Sequence, residues 1–334
     1  MKKEFLLKIL RRNLKRHEHL LFNCNKIFVL LKLQNPVVRM KSIHILFLCI
    51  LFQNVEIYPQ CSDAGVCTIG KHHELRRTEN ASILSLGFVY GSSGKDADIN
   101  GNLNNLGTGS FIVDADIDVS RNMRLGINVP YTFISGPLGE NNGLGDLSIL
   151  FSRSFTIKKI HGLTVFLGGK FATGNVNSSD SLPQRYMPGL GTNDILAGAI
   201  YTFENYYFGI GYQKPFGRSR NYDTRLKRGD DVLFRAGFFE HFNKLGIKAE
   251  ILTILRVQPS SVQDNAASEE RFIEIDGSNE AQVNLAATIS YRASNELGLT
   301  GQAALPFLKR DYNFDGLKRT FSLLGTISYF FNLK

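Results

Sequence analysis

From residue 81 to the carboxyl end, apolar and polar residues alternate with a period of two, as in a strand whose two faces meet different surroundings. Ala281, Val283, Leu285, Ala287, Ile289 and Tyr291 fall on one face of such a segment; Gln282, Asn284, Thr288, Ser290 and Arg292 fall on the other. Phe111, Val113, Ala115, Ile117 and Val119 alternate with Asp114, Asp116 and Asp118, and Leu125, Ile127, Val129 and Tyr131 with Arg124 and Asn128. The pattern predicts strands over 82–91, 109–119, 122–133, 143–155, 162–174 and 192–203, then 206–215, 230–241, 245–256, 280–293, 295–306 and 319–331. Each is about long enough to cross a bilayer at a tilt, and the count is even, as in bacterial single-chain barrels.

The connections alternate between long and short. Long polar segments follow the odd strands, among them NVNSSDSLPQRYMPGLG and VQPSSVQDNAASEERFIEIDGSN; SRN, ENY, HFNK and RASN follow even ones. With the amino terminus in the periplasm, every long loop lies outside the cell and every short turn inside. Tyr201, Phe203, Tyr206, Phe208, Phe238, Phe239, Phe242, Tyr291, Tyr329 and Phe331 fall at predicted periplasmic ends, where an interfacial aromatic girdle belongs. The last strand resembles the signal read by the barrel-assembly machinery, with Asn332 to Lys334 trailing past it. The expected fold is all-β: a transmembrane antiparallel up-and-down β-barrel of about 12 strands in outer-membrane lipid. Alternation alone also suits a soluble sandwich or barrel, because it does not say whether the apolar face meets lipid or protein.

Mean hydropathy of −0.10 is too low for a bundle of membrane helices. The net charge of +9 raises nucleic acid as a partner, but eleven Lys and Arg precede residue 42 against Glu4 and Glu18, leaving 28 basic and 28 acidic residues beyond. A neutral body removes the support for nucleic-acid binding.

Met40 opens MKSIHILFLCILFQNVEIYPQC, a lysine, an apolar run and a polar break, which is a signal-peptide layout over 40–60. Residues 1–39 read as a start-site overcall or a basic extension, the latter with Arg11, Arg12, Lys15 and Arg16 suited to a membrane-surface helix. A periplasmic segment, 61–80, then precedes the barrel at 81–334. Cys61 and Cys67 survive cleavage and read as a small disulfide or unpaired thiols; His72 and His73 offer zinc as the alternative, without the spacing of a standard finger.

On the predicted inward face, Asp114, Asp116, Asp118, Asp146, Asp194 and Glu250 stand with Arg124, Lys170, Arg235, Lys248 and Arg292. They either pair across the lumen to hold its shape or line a path for small solutes. The three alternate aspartates repel one another unless cations offset them, and Arg124 on the next strand is the expected partner. Asp311, Asn313 and Asp315 match the first half of a calcium loop, but Ser322 stands where its bidentate glutamate belongs, so a polar surface turn is expected. There is no GxSxG, phosphate-binding loop or HExxH in the body of the chain, and His161 and His241 fall at predicted turns without a triad. Neither an enzyme nor a cofactor is implied.

GLGDLSILFSRSF at 143–155 and LPQRYMPGLGTNDILAGAIYTF at 182–203 resemble the glycine, aspartate and proline signatures of the outer-membrane transporters named after the MetA pathway of phenol degradation. Gly143, Gly145 and Asp146 match the first motif; Pro188, Gly189, Gly191 and Asp194 match the second. The resemblance covers most of the barrel and implies passage of small, often hydrophobic or aromatic solutes. CSDAGVC at 61–67 resembles the mature start of such proteins in the Bacteroidota. Glycines near strand ends also serve bends and close approach, so these positions read equally as architecture.

Overall fold

The computed structural model describes residues 81–334 except 98–100, 102, 159, 177–181, 311–313, 317–319 and 333–334; residues 1–80, with the signal-peptide segment, Cys61 and Cys67, lie outside the described part. Among the described residues, fifteen strands run in chain order: β1 Ser82–Ala97, β2 Leu103–Ser120, β3 Met123–Gly136, β4 Gly139–Leu144, β5 Leu147–Lys158, β6 His161–Phe171, β7 Asn193–Phe203, β8 Tyr206–Phe216, β9 Asp231–Phe242, β10 Leu245–Arg256, β11 Ser261–Gln263, β12 Phe272–Glu274, β13 Ala281–Arg292, β14 Leu297–Leu308 and β15 Phe321–Phe331. Neighbours pair antiparallel, and β1 pairs with both β2 and β15, so the sheet closes on itself. With β4 and β5 as one interrupted strand, the result is a closed antiparallel barrel of twelve strands, with β11 and β12 as a separate small hairpin in the loop after β10.

Burial settles which face meets what. Leu86, Leu167, Ile210 and Ile327 are each more than half exposed, while Ser85, Gln213, Gln282 and Ser328 are at most 1% exposed. A soluble barrel would bury the leucines and expose the glutamines; this inversion is the signature of a wall bathed in lipid. Closure pairs the wall strands on both sides, β4 excepted, which pairs with β3 alone, so the backbone hydrogen bonds are met within the wall, as hydrocarbon demands. Rings crowd both ends of the apolar band, with Phe88, Phe111 and Phe133 in a chain on one side and Tyr206 against Phe238 and Tyr329 against Phe331 on the other.

Some boundaries differ from expectation. β1 and β2 run on through Ala97 and from Leu103 across a bulge between Ser92 and Lys95, where a long loop was expected. Above the bilayer both faces meet water, so the ladder continues without alternation. The strand expected over 143–155 is broken at Gly145–Asp146: Leu144 to Ser148 is one residue longer than Asn128 to Tyr131, which it faces. Phe239 leaves the expected girdle, because its register opposite Lys248 turns it inward beside Tyr207.

Candidate functional site

The lumen has two unlike halves. On β13, β15, β1, β2, β3 and β5 most inward residues are small or hydrogen-bonding, among them Asn284, Ser328, Ser85, Asp114, Asn128 and Ser148, all buried, with Ile83, Ile112 and Phe330 as apolar exceptions. The Ser85 and Ser328 hydroxyls meet at 2.8 Å, and Asn128 donates to Asp114. Across β5 to β10 the inward wall instead carries an apolar cluster between charged residues above and below it, with Leu196, Leu233, Leu252 and Ile254 packed together and Phe166, Ile200 and Tyr207 joined to them through Leu150. A small cavity opens there between Phe166, Ile200, Leu233, Leu252 and Arg235. Below it Glu250 accepts from the Tyr207 hydroxyl at 2.6 Å and lies 3.3 Å from both Arg235 and Lys248.

Above the cavity the outer mouth is crossed by a network of paired charges. Asp231 at the head of β9 is held by Arg228 and Arg256 at 2.9 Å and by Arg310 at 3.4 Å. Arg256 also reaches Asp315 at 3.0 Å, and Arg228 reaches Asp194 at 3.3 Å, where Lys170 lies at 2.9 Å. Gln213 and Thr192 donate to the same Asp194 carboxylate. These side chains are almost wholly buried and come from β6 to β10 and the loops after β6, β8 and β14. Charges taken out of water persist only where paired and hydrogen-bonded, and this network meets that condition.

A 3-10 turn, Gln184–Tyr186, sits above the network in the loop between β6 and β7. Its partners come from around the ring. Ser219 and Asn221, after β8, bond to Gln184 and to Leu182 O; Arg185 makes a double bond with Asp96 on β1, at 2.7 and 2.9 Å; Tyr186 packs with Leu106 of β2 and Ile134 of β3. An element touched from so many sides of a ring lies over its mouth. The base of this loop is anchored at the break in the wall. Asp146 accepts the backbone N–H groups of Gly174 at 3.1 Å and Leu190 at 2.7 Å. A Cβ on Gly189 would stand 2.6 Å from the Asp146 carboxylate, so only glycine fits there. The two motifs, some forty residues apart in the chain, therefore form one structure, with Gly145 against Pro188 O and Gly189 against Asp146.

The sequence-predicted residues sort cleanly. Asp118 pairs with Arg124 at 2.6 Å, as expected. Asp114 and Asp116 share its inward face, Asp114 bonded to Asn128. Lys170 with Asp194, and Arg235 and Lys248 with Glu250, pair between neighbouring strands or along one strand. Asp146 serves the wall and loop. Arg292 turns onto Ser294 O and the Phe330 ring at the periplasmic rim. Asp315, expected in a solvated turn, is buried against Arg256 and Arg228; Asp311 and Asn313 lie outside the described residues. Sequence reasoning missed Arg228, Asp231, Arg256, Arg310 and Tyr186. RLKRGDD at 225–231 reads as a solvated charge run, and the one hint was apolar Leu182, Tyr186, Met187 and Leu226 in otherwise polar loops.

No family model matches the chain, and no curated protein matches it in sequence. Among solved structures, an outer-membrane channel from Pseudomonas putida F1 superposes with a TM-score of 0.55 over 78% of this chain and 98% of that one, at 14% identity. The likeness is one of fold. Looser likenesses include a TodX monoaromatic hydrocarbon channel variant, TM-score 0.46 at 10% identity over 77% and 91% of the two chains, and the NanC porin, 0.43 at 10% over 76% and 100%. A closed barrel with a lipid-facing apolar band and this fold resides in the outer membrane.

Proposed function

We propose that the protein is an outer-membrane channel for small solutes of apolar or aromatic character, of the MetA-pathway transporter type and of Bacteroidota origin. One observation carries the reading: between their charged pairs, β5 to β10 present an apolar cluster around a small cavity to the lumen, where the wall opposite is mostly small or hydrogen-bonding. A solute with a hydrocarbon body finds contact on one side and polar partners on the other, which suits a path for small amphipathic molecules better than one for sugars. The lumen charges then line the path while pairing to hold it. Residues 40–60 act as a cleaved signal peptide, 61–80 lie in the periplasm, and the assembly machinery inserts the barrel through its last strand. The protein is no enzyme on this reading.

The test is uptake by vesicles holding the chain refolded from Cys61. Small aromatic solutes should enter faster than sugars of equal size, and Leu252→Asn should shrink that preference. Vesicles that pass neither solute would favour a closed barrel whose outer loops bind a partner, a second reading supported by the loops packed over the mouth.

A further inference from the structure

We propose that residues 182–190 are a releasable cork whose opening runs along one seam, between the turn and its seat on β1–β4; the proposal rests on the channel reading above. The two sides of the cork are held by different chemistry. Toward the loop after β8, Gln184 and Asn221 are fully buried, with the Ser219 hydroxyl donating to Gln184 Oε1, Gln184 Nε2 to Gly189 O at 2.7 Å and Asn221 Nδ2 to Leu182 O at 2.9 Å. The Ser219 and Asn221 bonds tie the cork to the loop after β8, the Gln184–Gly189 bond braces the cork itself, and Asp146 holds its base at the break between β4 and β5.

The seat has longer and wetter polar contacts around one buried apolar cluster. Its ion pair, Arg185 with Asp96, keeps 25% and 13% of its side-chain surface exposed. The Leu138 N–H to Tyr186 Oη and Asn141 Nδ2 to Tyr186 O bonds are both 3.2 Å. One ring, Tyr186, fills a socket of Leu106, Ile134 and Gly136, where a Cβ on Gly136 would stand 2.6 Å from the Tyr186 hydroxyl and from Leu106. Partly exposed pairs are screened by salt and contribute little. Separation along this seam would uncover the mouth on the β1–β4 side while the other side hinges.

The chain has no Trp, so Leu182→Trp gives a single reporter on the cork. Acrylamide quenching of that reporter and solute uptake are read on the same vesicles. Asp96→Ala removes the pair and Gly136→Ala crowds the socket without touching it. Each should raise the quenching constant, with up to about a fivefold shift toward the unseated form for the lost pair. The exchanged pair D96R with R185D should restore the parent value, and unchanged heat-modifiable migration on gels checks that the barrel is intact. Quenching equal to the parent in both single variants overturns the proposal, as does uptake that rises while quenching stays fixed. Quenching that rises in vesicles sealed to every solute, parent included, upholds the seam and removes the channel reading instead.

Discussion

The wall and the mouth of this barrel solve opposite problems. In the wall each strand meets its needs from the strand beside it, and apolar side chains such as Ile210 face outward at no cost because lipid is their solvent. At the mouth, side chains from two strands and two loops must meet at one point, where Asp231 gathers Arg228, Arg256 and Arg310. The wall is redundant, since one altered residue leaves its neighbours paired. The mouth is not, because each carboxylate there neutralises more than one cationic group at once.

Removing the hub is expected to do most damage. Asp231→Ala leaves three buried guanidinium groups short of a partner and should cost about 3–5 kcal/mol, the usual penalty for breaking a buried pair from one side. Guanidinium-induced unfolding in lipid vesicles measures it, and a loss below about 1 kcal/mol would mean that water reaches the mouth and screens it. Ile210→Arg tests the wall on the same scale. Ile210 stands midway along β8 and is 53% exposed to the lipid side, so a charge there should cost about 2–4 kcal/mol. A neutral result would place this face in water and take away the membrane argument.

This contrast also explains what the sequence revealed. A wall built from neighbour pairing writes itself into the chain as alternation, so Leu285 and Asn284 or Val113 and Asp114 declare their faces unaided. Even the pair of Asp118 with Arg124 follows from two strands joined by a short turn. The mouth leaves no such trace: Asp231 and Arg310 lie 79 positions apart, and nothing local distinguishes a buried arginine in RLKRGDD from a solvated one. The glycine motifs were visible, but their shared purpose was not, because the contact of Gly189 with Asp146 exists only once β5 and the cork are both in place.

Gly189→Ala probes that joint. The added methyl would fall within 2.6 Å of the Asp146 carboxylate and 2.8 Å of Gly174 Cα, and backbone cannot withdraw as a flexible side chain can. Overpacking of this kind costs about 1–3 kcal/mol. The loss should be local, seen as faster hydrogen exchange at the Gly174 and Leu190 amides with strand exchange unchanged. Uniform acceleration through β5 and β6 would instead make Asp146 part of the wall's own stability.

Acid should separate mouth from wall with the smallest effect. Burial alone would raise the Asp315 carboxyl, but Arg256, then Arg228 and Arg310, outweigh it and hold the group below its ordinary value of 3.8. A carboxyl depressed in the folded state contributes stability that is complete above the unfolded value and is lost as pH falls from there through the folded value. Loosening of the loop after β14 is therefore expected below about pH 4, with the neighbouring arginines left in excess positive charge. The lipid-facing wall carries few titratable groups, and its circular dichroism should not change over that range. Asp315→Asn removes the titration and should flatten the acid-side rise in acrylamide quenching of a tryptophan placed at Leu182. If the variant keeps the same acid response as its parent, the titrating group lies elsewhere in the network, and Asp231 and Asp194, which share these arginines, become the carboxylates to replace next.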